Sequence, residues 1–291
     1  MTAQTPQTPQ TPDAAQAARV RRNSAADPGV RFRDLFAAEW TKLWTLRSTR
    51  YVLGLGTLLF VAIAVQKSLG TYQDWPSFRP AEKAHFDPMT EAFSGVTAAL
   101  LMIGAGCVGA LAIVGEYATG SVRTTFTAVP ARHLVMTAKV TVLAVVMLGV
   151  GAVVSLATFA VSQAILSGRG IGLTLGDPGV AHVLVANALL APISALAGLG
   201  LGALLRHTAA SVVTCSAVLV VVPTFFKPTV HQWVNDLYAM FPNYVWRTCL
   251  AMRDPRDLPG LPTTAAAWTV FALWPLATAV LAVLAVQRRD L

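Results

Sequence analysis

The side chains of this chain that could do chemistry are few. Asp177 and His182 could form an acid–base pair, with Gln163 and Asn187 as polar neighbours at one end of the third and fourth apolar segments. An enzyme that works inside a membrane needs paired ionisable groups at depth, and ion-coupled carriers also use buried acids. Because every acidic residue lies at or beyond the end of an apolar segment, we interpret Asp177 and His182 as a surface pair and expect no catalytic residue.

The sequence also lacks the groups that would hold a nucleotide or a metal ion. ATP hydrolysis would need the pattern GxxxxGK[ST], in which backbone amides and a lysine hold the phosphates, and no Gly-Lys dipeptide is present. The segment LSGRG at 166–170 is similar to the signature loop of transporter ATPases only superficially. Cys107, Cys215 and Cys249 have no metal-ligand spacing and no disulfide pattern. Any ATP hydrolysis must therefore come from a partner.

A polar segment, residues 116–139, separates two apolar runs at 93–115 and 140–166. Gly120 and Pro130 bracket a stretch that predicts a short helix, from about Gly120 to Val129, lying across the membrane face. Arg123 is placed to pair with Glu116. A bare connection could be as short as residues 205–208, so the extra length predicts contact with another molecule.

The elements that position this segment are membrane spans. Hydrophobic residues make up 55% of the chain and charged residues 12%, a composition typical of a polytopic membrane protein. Strand periodicity is absent, so we predict an all-α fold of six transmembrane helices. The predicted spans are about 51–66, 93–115, 140–166, 181–204, 209–226 and 267–286, within a transmembrane domain at 49–291.

The distribution of charge predicts the orientation. With six spans, one side holds 14 basic and six acidic residues, so its net charge equals the +8 of the whole chain. Basic residues mark the cytoplasmic side, which places both termini in the cytoplasm and the protein in the cytoplasmic membrane. Anionic lipid headgroups are sufficient partners for this charge, and no nucleic acid is needed to explain it.

The chain before the first span divides into two parts. Residues 1–30 contain a Thr-Pro-Gln tract that cannot pack a core, and we predict a disordered cytoplasmic tail, with a docking role as the alternative. Residues 31–48 gather their apolar side chains on about half of a helical wheel, which predicts an amphipathic helix in the membrane interface. The alternative is a cytosolic extension of the first span.

Glu39 falls inside the apolar arc of that wheel. A carboxylate in this position is costly unless it is paired. Lys42, three residues later, is one expected partner, and a basic residue of a cytoplasmic loop is another. The alternative is that Glu39 extends to the headgroups.

Three motifs resemble one family. The segment EYATGSVRTT at 116–125, followed by VPAR at 129–132 and by Lys139, is similar to the cytoplasmic loop of bacterial ABC-2 type exporter permeases. EWTKL at 39–43 with RSTR at 47–50 resembles their amphipathic N-terminal helix, and the closing QRRDL resembles their tail. The resemblance covers about residues 31–291. Phe126 departs from it, since leucine is more usual there.

The resemblance implies partners and roles. Two permeases, either two copies or a copy and a sister subunit, would pair, and each would bind a separate ABC ATPase that carries the ATP and Mg²⁺; this chain itself would need no cofactor. The residues implied for coupling to the ATPase are Glu116, Tyr117, Gly120, Arg123, Thr124, Pro130 and Arg132, and those implied for the N-terminal helix are Glu39, Trp40 and Lys42. The expected function is export of a hydrophobic or amphiphilic substrate. A membrane enzyme or a membrane scaffold is the alternative.

Overall fold

The computed structural model describes residues 31–45, 47–128, 131–225, 231–254 and 262–288. All regular secondary structure in these ranges is helical. The helices are α1 Phe32–Thr45, α2 Arg47–Asp74, α3 Pro80–His85, α4 Met89–Ala92, α5 Gly95–Thr119, α6 Ser121–Ala128, α7 Arg132–Ser167, α8 Val180–Leu205, α9 Thr208–Phe225, α10 Gln232–Tyr238, α11 Pro242–Val245 and α12 Thr264–Arg288. A π-helical turn at Trp246–Leu250 extends α11, and another at Ala217–Val221 interrupts α9 just before Pro223, which has no N–H to donate.

Six helical segments of the described chain are long and apolar enough to cross a membrane. They are Arg47–Ser77, Met89–Thr119, Arg132–Ser167, Val180–Leu205, Thr208–Phe225 and Thr264–Gln287. The predicted number and order of spans is therefore confirmed, and the chain is an integral multi-pass membrane protein.

Two helices extend beyond the predicted spans. The first span was predicted at about 51–66, and α2 continues to Asp74; within it the amine of Lys67 donates to the carbonyl of Thr90 and pairs with Glu91. The third span was predicted at about 140–166, and α7 begins earlier, at Arg132. Apolar runs mark the part of a helix that lies in the hydrocarbon, and helices continue beyond it.

Helix α8 forms the centre of the bundle. Of its most apolar 18-residue window, 78% is buried, against 17% for α2. A helix that is apolar on all sides is suited to this central position. Helices α5, α7, α9 and α12 pack around it, and α2 lies at the periphery.

Glycines set the distance between α8 and its neighbours. A Cβ atom added at Gly109 of α5 would lie 1.8 Å from the carbonyl oxygen of Ala195, and one at Gly151 of α7 would lie 2.1 Å from that of Ala188. A Cβ atom added at Gly198 of α8 would lie 2.0 Å from the carbonyl oxygen of Gly106. The backbones therefore touch at these crossings.

The two ends of the bundle differ. We call the end that carries α1, α6 and residues 205–208 the basic face, and the other end the opposite face. The opposite face carries the segments between the first and second and between the fifth and sixth predicted spans, residues 67–92 and 227–266, and most of their described part is helical. The aromatic segment of the second range packs into the bundle, where Trp246 is 2% exposed and donates through Nε1 to Oδ1 of Asn187 at 2.8 Å.

Candidate functional site

Four charged side chains from three helices meet at the basic face. Lys139 of α7 donates to Oε2 of Glu39 in α1 at 2.5 Å and to Oε1 of Glu116 in α5 at 2.8 Å. Lys42 of α1 contacts the same two carboxylates, Oε1 of Glu39 at 2.5 Å and Oε1 of Glu116 at 3.2 Å. We call Glu39, Lys42, Glu116 and Lys139 the charge cluster. Each base touches both acids, so the cluster is a closed ring that ties α1 to the ends of α5 and α7.

Burial within the charge cluster is graded. The side chains of Glu39 and Lys139 are 6% and 7% exposed, whereas Lys42 is 43% exposed. Leu35 of α1 packs on Val135 and Ala138 of α7 beside the buried pair. Ions in such surroundings are tolerated only when their partners are in place.

The charges within the cluster stabilise one another. Burial would raise the pKa of the Glu39 carboxyl, but Lys139 and Lys42 outweigh it and hold this pKa below its usual range. Burial would lower the pKa of Lys42, but Glu39 and Glu116 raise it above its usual range. Both groups are charged at neutral pH, and the predicted pairing of Glu39 with Lys42 and a further base is confirmed.

A cavity of about 500 Å³ adjoins the charge cluster. The cluster forms its polar wall, and the side chains of α1, α5 and α7 that form its apolar wall are Leu43, Leu111, Ala112, Val142 and Leu143. A space lined on one side by charges and on the other by hydrocarbon suits the boundary between headgroups and acyl chains.

The predicted short helix of the polar segment is present as α6, Ser121–Ala128. Gly120 ends α5 with a φ of +71°, a left-handed conformation that glycine adopts without strain. The Thr124 side chain is exposed on α6, and its hydroxyl donates to the carbonyl of Ser121 at 2.9 Å. Pro130 and the side chain of Arg123, with its expected pairing to Glu116, lie outside the described residues.

Other predicted residues lie elsewhere. Trp40 lies between Phe36 and Trp44 on the aromatic side of α1: its ring stacks on that of Phe36 at 6.0 Å between centroids and is tilted against that of Trp44 at 6.1 Å. The predicted apolar side of α1 therefore has two parts. Leu35 and Glu39 are buried against the bundle, whereas Trp40 and Trp44 are exposed. Arg132 begins α7. Tyr117 does not join the charge cluster.

The expected surface pair of Asp177 and His182 is not formed. Asp177 instead accepts from the backbone N–H of Thr174 at 2.6 Å, and the His182 ring packs edge-on against Trp268 with centroids 5.4 Å apart. Among the residues that the structure describes, no group of three or more His, Cys, Asp or Glu side chains is placed to hold a metal ion.

Two residues were missed as site residues by sequence reasoning. Lys139 was noted only as part of a motif, yet it is the buried one of the two bases that join Glu39 to Glu116. A lysine immediately before the apolar run 140–166 could have identified it, because a charge so close to the hydrocarbon needs a partner. Arg206 was read only as part of a tight connection, and no sequence signal placed it beside Tyr117.

No protein-family model matches the chain, and no curated protein sequence matches it.

Proposed function

We propose that this chain is the membrane-spanning permease subunit of an ATP-driven exporter of the ABC-2 type. The observation that carries the proposal is the charge cluster. It fastens the N-terminal helix α1 to α5 and α7 at the face where α6 presents exposed side chains, so a force applied to α1 or α6 is transmitted to two spans.

In this proposal the basic face is cytoplasmic, and a separate ABC ATPase binds α6 with support from α1. Closure of the ATPase dimer around ATP and Mg²⁺ favours one arrangement of two paired permeases over another. Lys139 couples the movement, because it holds α1 and α5 through the same ammonium group. This chain contributes no catalytic residue.

The cargo in this proposal is hydrophobic or amphiphilic. The described spans carry their ionisable side chains at or near their ends, which supports an apolar cargo over a small ion. The pairing subunit is a second copy or a sister permease. Membrane lipids are the remaining partners, and no nucleic acid is involved.

Co-purification tests the proposal. The affinity-tagged chain is co-expressed with the ABC ATPase encoded nearest to it, and the complex is isolated in a mild detergent. We expect the ATPase to be retained and its hydrolysis rate to change when the permease is bound. A chain that retains no ATPase and alters no ATPase rate would refute the proposal.

The contact itself is tested by charge reversal on α6. We expect Arg123→Glu to reduce ATPase retention and to uncouple hydrolysis from transport while membrane insertion stays normal. Arg247→Glu is the matched control, because Arg247 is an exposed arginine in the π-helical turn Trp246–Leu250 at the opposite face, away from α6. Normal transport by the Arg123 variant would show that α6 is only a linker.

A further inference from the structure

Arg206 occupies a strained backbone position in the two-residue turn between α8 and α9. Its φ is +52°, which makes it the one non-glycine residue with positive φ among the residues that the structure describes. Glycine or asparagine is the usual residue at this point of a helix end, because a Cβ atom is disfavoured there. A non-glycine residue kept in a strained conformation is a reason to look for a function.

The guanidinium of Arg206 is only partly satisfied. Its carbon lies over the Tyr117 ring, 4.8 Å from the ring centre, in a cation–π contact. Its Nε and Nη2 atoms are buried and have no hydrogen-bond partner, and neither has the hydroxyl of Tyr117. The cation–π contact places the positive charge over the ring, but the N–H groups still need acceptors.

The nearest acidic residue in sequence to Tyr117 cannot supply this acceptor. Glu116 already accepts from Lys42 and Lys139 in the charge cluster. The start of α9 adds to the positive potential, since the first N–H groups of a helix point outward without intrahelical partners. His207 caps only part of this end, accepting from Ala210 N at 3.2 Å.

We propose that Arg206 and Tyr117 bind the phosphate of an anionic lipid headgroup. A guanidinium fork matches the oxygens of a phosphate, and a phenol can donate to a third oxygen. The turn directly joins two helices that are long and apolar enough to cross a membrane, so we infer that Arg206 lies at the depth of the headgroups. The neighbouring Leu205 is 42% exposed, where acyl chains could contact it. This site is independent of the proposed export function and of the charge cluster.

The test is thermal unfolding of the full chain in a neutral detergent. Three additions are compared: phosphatidylglycerol, phosphatidylcholine and inorganic phosphate. We expect phosphatidylglycerol to raise the melting temperature by at least about 3 °C and phosphatidylcholine to have little effect. A comparable rise with inorganic phosphate would also support a phosphate site, with free phosphate as a second source of the ligand, whereas a rise with inorganic phosphate alone would overturn the lipid assignment.

Variants separate this site from general electrostatic attraction. We expect Arg206→Gln to lose the response to phosphatidylglycerol, Tyr117→Phe to weaken it, and Arg50→Gln, an exposed charge on the same face, to keep it. Arg206→Gly should also lose the response, yet without lipid it should melt at or above the wild-type temperature because glycine adopts this backbone conformation without strain. An unchanged response in Arg206→Gln, or an equal loss in Arg50→Gln, would overturn the proposal. The proposal would also be overturned if phosphatidylglycerol did not raise the melting temperature of the wild type while Arg206→Gln no longer retained a partner ATPase.

Discussion

The ammonium group of Lys139 in α7 is hydrogen-bonded to the carboxylate of Glu39 in α1, although 100 positions of sequence separate the two residues. The contact is buried, with 7% and 6% of the side chains exposed. It fixes where the N-terminal helix α1 lies against the bundle, because neither ion tolerates loss of its partner at this depth.

Neutralising Glu39 should destabilise the fold. We expect Glu39→Gln to lower the free energy of unfolding by about 2–3 kcal/mol, slightly less than for a fully isolated buried pair, because Lys139 keeps Glu116. The measurement is thermal or denaturant unfolding in detergent. Glu82→Gln is the control, since Glu82 pairs with Arg79 on the exposed surface, and its melting temperature should equal that of the wild type. Equal effects of the two substitutions would contradict a structural role for the charge cluster.

The contribution of Glu39 should depend on pH. Its pKa is lowered in the folded protein, so its stabilisation is complete above the unfolded value, about 4.3, and is lost as pH falls through the lower folded value. The difference in melting temperature between the wild type and Glu39→Gln should therefore be constant near neutral pH. It should shrink below about pH 4.3, where the carboxyl of the unfolded chain takes up a proton before that of the folded protein does. A difference that stays constant down to pH 3 would refute this assignment.

Lys42, one of the two bases of the charge cluster, gives the opposite dependence. The pKa of Lys42 is raised in the folded protein, so its stabilisation is complete below the unfolded value, about 10.4, and is lost as pH rises through the higher folded value. We expect the wild type to be more stable than Lys42→Met, and the difference in melting temperature to be largest between about pH 5 and 10. In this range both Glu39 and Lys42 are charged. A difference in melting temperature that stays unchanged above pH 12 would contradict this expectation.

The number of spans could be predicted because apolar runs of bilayer length are a property of the sequence alone. Lys42 could be predicted as a partner of Glu39 because it lies three residues later in the same helix. The second partner could be predicted only by type, as a base, because the identity of Lys139 depends on how α1 packs against α7. The same limit applies to Arg206 and Tyr117, which meet only through the packing of α5 beside the turn after α8. Apolar runs do not predict helix ends, since α2 and α7 continue past the predicted spans into polar sequence.

The contact between Trp246 and Asn187 should contribute through its hydrogen bond. Trp246→Phe keeps an aromatic ring against Phe93 but leaves the Asn187 amide, 1% exposed, without this donor. We expect a loss of about 1–3 kcal/mol in unfolding experiments. Adding Asn187→Leu should restore part of it, because removing both polar partners avoids the unsatisfied group. Trp233→Phe, at a side chain that is 68% exposed, should have no effect, and a larger loss there would contradict the assignment.

The backbone crossings at α8 should tolerate no added methyl group. Gly109 and Gly104 both lie in α5, but a Cβ atom at Gly109 would meet the carbonyl of Ala195 at 1.8 Å, whereas one at Gly104 has nothing within 4 Å. We expect Gly109→Ala to force the helices apart and to lower stability by about 3 kcal/mol or more. Gly104→Ala should be neutral or stabilising by up to about 1 kcal/mol, because alanine favours the helix.

A second pair in α7 repeats the comparison at another crossing. A Cβ atom added at Gly151 would lie 2.1 Å from the carbonyl oxygen of Ala188, whereas one added at Gly149 would have nothing within 4 Å. Size-exclusion chromatography and thermal unfolding in detergent should therefore give aggregated or strongly destabilised protein for Gly151→Ala and normal protein for Gly149→Ala. If all four alanine variants unfold at the same temperature, α8 is not held at backbone contact by α5 and α7. The order of effects is set by space rather than by helix propensity, since the chemical change is identical in all four.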